Sequence, residues 1–199
     1  MALRTLRTLK NPYFRYSAIY NFVSGIESTI TTHSVFGALI QENNNILYNV
    51  SFNYLAKDVV SNVGSLMVIG RLSKNVDKHP LGTMYLSQFA YQAALISECY
   101  AKEFPEHFFI PILGFAGVGK AMAWTSVGAI NAKVLSKIDP EKIGENYTKL
   151  AIINTTTSSL GTASGLLVVK CFPETFLVTV PLCTIIRIYY LRKMCKYVA

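Results

Sequence analysis

Leu150-Ala-Ile-Ile-Asn-Thr-Thr-Thr-Ser-Ser-Leu-Gly-Thr-Ala-Ser-Gly-Leu-Leu-Val-Val169 runs for 20 residues without a charged side chain. A bilayer crossing takes roughly 17 to 25 residues, so the stretch is long enough to be one. Asparagine, serine, threonine and glycine recur in it. These residues suit a helix that packs on other helices, because small and hydroxyl side chains let backbones approach and hydrogen-bond across the contact. Gly161 and Gly165 form a GxxxG, with Thr157 one step earlier in the same register.

Five further apolar stretches surround it. Residues 16–41 are interrupted only by Glu27 and His33, and 43–70 only by Lys57 and Asp58. Residues 80–97 carry no charge, 108–132 only Lys120, and 175–191 only Arg187. None reads as a strand. Pro80, Pro105, Pro140 and Pro173 stand at or just before the start of a stretch, where a missing backbone N–H costs least. Pro111 and Pro181 fall inside stretches and predict kinks or interruptions. The expected fold is all-α: a polytopic transmembrane bundle of about six helices with both termini on one side. Residues 1–15 form a basic targeting or anchor segment, and 16–199 a helical membrane domain.

Composition points the same way. The chain of 199 residues is 51% hydrophobic and 15% charged, against about 25% charged in an ordinary soluble domain. Its formal charge of +8 sits at the ends: Arg4, Arg7, Lys10 and Arg15 precede the first acid, Glu27, and Arg187, Arg192, Lys193 and Lys196 follow the last, Glu174. Such clusters beside apolar segments read as membrane-surface anchors. Nucleic acid is excluded as a partner, since no zinc-finger spacing, RNP-like run or basic zipper accompanies the charge. Tyr13, Phe14, Tyr16 and Tyr20 at one end, and Tyr189, Tyr190 and Tyr197 at the other, have the make-up of interfacial belts.

The breaks between stretches divide by charge. The N-terminus, residues 71–79, 133–149 and the C-terminus are each net positive, whereas Glu42, 98–107 and 170–174 are not. With an even number of spans the first set falls on one side, as the positive-inside rule requires. The acid-free segment 1–20, with its arginines and leucines, is similar to a mitochondrial targeting sequence. The expected address is the mitochondrial inner membrane, with a plastid or other organellar membrane as alternative.

Several motifs invite chemistry. Residues 114–120, Gly-Phe-Ala-Gly-Val-Gly-Lys, satisfy the first seven positions of a P-loop, but Ala121 stands where magnesium needs a Ser or Thr hydroxyl. A Gly-rich packing face through Gly114 and Gly117 is the preferred reading, as it is for Gly161 and Gly165. Glu27, Lys57, Asp58 and Lys120 lie inside apolar stretches, two acids and two bases. They form either an ion path or polar substrate site, or pairs that fix how helices pack or contact a neighbouring subunit. Pairing is preferred, because a path usually needs more ionisable groups in series. His33, His79 and His107 are scattered, and the four cysteines lack metal spacing. No GxSxG elbow occurs. Neither a metal nor another cofactor is expected, and no catalytic residue is assigned.

From about residue 16 onward the order of features resembles the root-UVB-sensitive family of membrane proteins. Thr31-Thr-His-Ser-Val-Phe-Gly-Ala38 is similar to the Ser/Thr-rich turn that ends the family's first conserved helix. Asn53-Tyr-Leu-Ala-Lys57-Asp58 followed by Gly64 resembles its Lys-Asp helix, and Gly128-Ala-Ile-Asn-Ala132 its Gly-Ala-Thr-Arg block. The chain departs from the pattern in lacking a Trp-Arg motif and in having Asn131 where an arginine is expected. The resemblance implies a helical membrane protein, and plant members of the family are linked to vitamin B6 homeostasis.

These readings lead to a non-catalytic membrane subunit, embedded among membrane lipids and other membrane-protein subunits of an assembly such as a respiratory complex. The alternatives are a small-molecule or ion transporter with a polar mid-bundle site, and a nucleotide-binding protein using the degenerate P-loop.

Overall fold

Asn11 begins the first helix: its side-chain carbonyl accepts the Tyr13 amide at 2.9 Å, and Pro12 takes the first helical position, where its missing N–H is no loss. The helix α1 then runs Pro12–Gln41. It belongs to a computed structural model that describes residues 10–41, 55–56, 58–68, 70, 75, 78–100, 103, 106–172 and 176–197. Among the described residues all regular structure is helical. After α1 come α2 (Asp58–Val68), α3 (Pro80–Cys99), α4 (Glu106–Ile138), a 3₁₀ turn at Pro140–Lys142, α5 (Ile143–Cys171) and α6 (Phe176–Cys195).

Pro80 occupies the first turn of α3 and Pro140 opens the 3₁₀ turn, while Pro105 and Pro173 lie outside the described residues. Pro111 and Pro181 do not interrupt their helices. Each is the sixth residue of its helix, counted from Glu106 and Phe176, so the lost backbone bond falls near an end that is incompletely bonded anyway. The hydroxyl-rich sequence is compatible with long helices because the hydroxyls bond to their own helix. Thr29 donates to the Gly25 carbonyl, Thr157 to Ile153 and Ser164 to Leu160, at 2.8–2.9 Å. A hydroxyl satisfied by the carbonyl four residues back needs no water, so it can enter an apolar medium at little cost.

The contacts divide the chain into two units, one of residues 1–30 with 130–199 and the other of residues 31–129, the division falling within α1 and α4. In the first unit α1 and α5 pack backbone to backbone. A Cβ at Gly25 would lie 2.5 Å from the Ser158 carbonyl oxygen, and one at Gly165 2.8 Å from Thr29 Cβ; at Gly161 it would meet the Phe22 carbonyl. The GxxxG of α5 and Gly25 of α1 thus form one crossing, with the helices parallel: residue 25 meets 158–162, and residue 29 meets 165. In the second unit, Gly114 and Gly117 of α4 sit under Val60 and Ser61 of α2. Gly119 abuts the backbone of α3 at Ala90, beside a core of Tyr91, Leu95 and Ala123.

Among the described residues one helix, Ile110–Ile138, is long and apolar enough to cross a membrane, and less than half of it is buried. The other long helices are lowered on that measure by the Ser, Thr, Asn and Gly content already noted in the sequence.

Candidate functional site

The most completely buried charges lie in the first unit. Glu27, two turns of α1 beyond Tyr20, is 0% exposed, and Arg187 of α6 is 1% exposed. Arg187 Nε stands 3.0 Å from Glu27 Oε2. Thr184 Oγ1, one turn before Arg187, lies 2.9 Å from Glu27 Oε1 and 2.8 Å from the Val180 carbonyl, so its single proton is shared between two acceptors. The guanidinium also stands over the Tyr20 ring, 5.7 Å from its centroid, where the ring face attracts a cation.

Local sequence explains this placement. Tyr20, Ser24, Glu27 and Thr31 recur at helical spacing and are all buried, as are Ser17 and Asn21. The inward seam of α1 is therefore polar. On α6, Val180, Cys183, Arg187, Leu191 and Met194 share the buried face, with Thr184 half-buried beside them. Ser17 Oγ donates to Asn154 Oδ1 of α5 at 2.9 Å, and the Asn21 amide bonds back to the Ser17 carbonyl at 2.8 Å. The Tyr13 hydroxyl donates to Asn131 Oδ1 of α4. Asn131, the departure from the family's arginine, thus acts as a buried acceptor.

A second ion pair belongs to the other unit. Lys120 Nζ of α4 lies 2.5 Å from Glu98 Oε2 of α3, with side-chain exposures of 22% and 6%. Residues 114–120 lie within α4, so their amides are committed to helical bonds and cannot cradle a phosphate as a P-loop's do. The degenerate P-loop is a helix face.

The four charges singled out in the sequence are distributed over both units. Glu27 belongs to the first unit, Asp58 and Lys120 to the second. Asp58 is half-buried at the start of α2, and Lys57 lies outside the described residues. Two partners escaped the sequence reading: Arg187, counted with the terminal basic cluster, and Glu98, counted with the break after α3. A signal for Arg187 was present, since it is the only charge in its apolar stretch and a lone arginine there needs a counter-ion. Glu98 closes α3 and is 4% exposed.

Chemically, the Glu27–Arg187 pair is a closed unit. Neither charged group reaches a surface from which it could meet a substrate, and each engages a partner on another helix. It ties α1 to α6 as the glycines tie α1 to α5. The sequence model of one family, UVB_sens_prot, described as a vitamin B6 photo-protection and homoeostasis domain, matches residues 10–199. No curated protein and no solved structure matches the chain.

Proposed function

This chain belongs to the root-UVB-sensitive family, and on that premise we propose that it is a non-catalytic, membrane-embedded helical protein serving vitamin B6 photo-protection and homoeostasis. The observation that carries the membrane reading is a set of large apolar residues left exposed on helices whose buried faces mix polar and charged residues with apolar ones. The helices bury Ser17, Asn21, Ser24, Glu27, Thr31, Gln88 and Arg187 while Leu66, Phe89 and Phe115 are 76%, 74% and 74% exposed. The exposed apolar residues follow helical spacing: Val178, Leu182, Ile185 and Tyr189 on α6, and Tyr85, Phe89 and Ile96 on α3. On a soluble monomer, contiguous apolar patches rarely exceed a few hundred Å², whereas lipid is the natural neighbour for such stripes. A hydropathy window averages the polar inward face with the apolar outward one, which is why a bundle can contain helices that look too polar to cross alone.

The non-catalytic reading is supported by the closure of the Glu27–Arg187 pair, because a general acid, base or nucleophile must come within hydrogen-bond reach of its substrate. The basic, acid-free stretch ahead of Glu27 favours the mitochondrial inner membrane, and the exposed apolar faces of α3 and α6 leave surfaces that partner subunits can cover. Alkaline carbonate extraction of membranes followed by native purification in mild detergent tests both parts. The chain is expected in the carbonate-resistant pellet and, after purification, in fixed stoichiometry with other membrane subunits. Release into the alkaline supernatant would refute membrane embedding, and recovery as a lone homo-oligomer would replace the subunit reading with the transporter.

A further inference from the structure

In the first unit three basic segments far apart in sequence meet at one end. The Tyr13 ring lies 5.8 Å from that of Tyr197, and Tyr16 lies 6.0 Å from Tyr190, so the start of α1 stands beside the end of α6. The Tyr13–Asn131 hydrogen bond brings the last turns of α4 to the same level. Ser17 faces Asn154, and α5 runs parallel to α1, so the first turns of α5 also lie level with residue 12.

The charge at this end is one-sided. The start of α1 contributes Lys10 and Arg15, the end of α4 Lys133 and Lys137, and the end of α6 Arg192, Lys193 and Lys196. Lys142 and Lys149 add two more, against Asp139, Glu141 and Glu145, with Lys149 and Glu145 paired at 2.5 Å. Nine basic side chains face three acids. At the opposite end of the same unit, where α5 finishes and α6 begins, Lys170 is the single charge among the described residues. Tyrosines are interleaved with the cations: Lys193 lies 5.2 Å from the centre of the Tyr189 ring and Arg15 5.8 Å from that of Tyr16.

We infer that this end of the unit binds the headgroups of anionic phospholipids in the bilayer that holds the protein, an inference that rests on the membrane reading above. Tyr16, Tyr189 and Tyr190 where α1 meets α6, with exposed lysine and arginine ends beyond them, fit an apolar boundary topped by phosphate. The convergence of helix ends makes the surface a property of the fold rather than of one tail. Bilayer lipid is the occupant because the basic end is continuous with the exposed apolar stripe of α6, which soluble phosphate has no means to use.

The test offers the purified full-length chain, in mild detergent, phosphatidylglycerol or phosphatidylcholine and counts retained lipid by native mass spectrometry. Phosphatidylglycerol is expected to be retained in preference. Each neutralised cation near such a surface costs about fivefold in affinity, so Arg192→Gln with Lys193→Gln and Lys196→Gln should lower retention about a hundredfold at low salt. The charge-conserving triple, Arg192→Lys with Lys193→Arg and Lys196→Arg, should retain it, and Lys78→Gln in the other unit should change nothing. Insertion into pure phosphatidylcholine vesicles, scored by alkaline extraction, separates the two claims. A chain that inserts but retains both lipids equally overturns this inference and leaves the membrane reading intact. A chain that fails to insert yet selects phosphatidylglycerol keeps the surface and loses the membrane-embedded reading. Displacement of phosphatidylglycerol by millimolar inorganic phosphate would assign the surface to soluble anions and overturn the inference.

Discussion

Replacing Arg187 with methionine should cost about 3–5 kcal/mol of stability, the range for stranding one member of a buried ion pair. The structure supports that size. Glu27 and Arg187 are 0% and 1% exposed with charged atoms 3.0 Å apart, and at an effective dielectric of about 20 their attraction is on the order of 5 kcal/mol. Without the guanidinium, the Glu27 carboxylate stays fully buried with no cation against it, beside the shared proton of Thr184. A domain holds about 5–15 kcal/mol in total, so the single variant forfeits a large fraction of it. Removing both charges, with Glu27→Leu beside Arg187→Met, should return stability to within about 1 kcal/mol of the native chain or above it. Thr184 is not orphaned in that double variant, because its hydroxyl also bonds to the Val180 carbonyl. The assay is thermal unfolding in mild detergent followed by labelling of Cys99, Cys183 and Cys195, thiols buried in the fold. At about 2–4 °C per kcal/mol for a chain of this size, Tm should fall by about 6–20 °C in the single variant. A fall under about 2 °C, or a double variant no more stable than the single, would show that the pair is hydrated and does not hold α1 to α6.

Three further outcomes follow from the packing. Gly25→Ala places a methyl 2.5 Å from a backbone oxygen of α5 and should destabilise by about 1–3 kcal/mol, whereas Gly128→Ala, with open space around it, should gain up to about 1 kcal/mol of helix propensity; matching Tm shifts of one sign would contradict the close crossing. Tyr13→Phe removes the donor to buried Asn131 and should cost about 1–3 kcal/mol by chemical denaturation, an effect that Asn131→Leu in the same chain should largely erase. Lys120→Met should lower Tm measurably, Glu98→Gln added to it should recover most of the loss, and ATP added to either protein should leave Tm unmoved; a nucleotide-dependent rise in the native chain alone would reinstate the P-loop reading.

Much of the helix map could be read from the sequence because its signals are local. Pro80 and Pro140 mark starts through their own missing N–H, and the charge-free run of residues 150–169 lies wholly inside α5. The small residues Gly161 and Gly165 announced a close contact, although they could not say that the partner was Gly25 of α1. What stayed hidden was pairing across the fold. Glu27 finds Arg187 and Lys120 finds Glu98 because ion pairs are chosen by which helix faces meet, which spacing along the chain does not report. Arg187 lies closer in sequence to the terminal lysines than to Glu27, so proximity along the chain assigned it to the wrong cluster. Hydropathy was also ambiguous by nature: α6 turns Arg187 inward and Ile185 outward within one turn, and a sum over both faces reports neither.

The first unit joins residues from both ends of the chain, and this imposes an order on its making. Glu27 is synthesised 160 residues before Arg187, an interval of roughly 10–30 s at ordinary translation rates. Throughout that time α1 carries an acid whose counter-charge does not yet exist, and Gly25 waits equally for the α5 backbone. The cation arrives with α6, so the buried pair, and the unit that closes around it, can form only once the chain has been translated through Arg187.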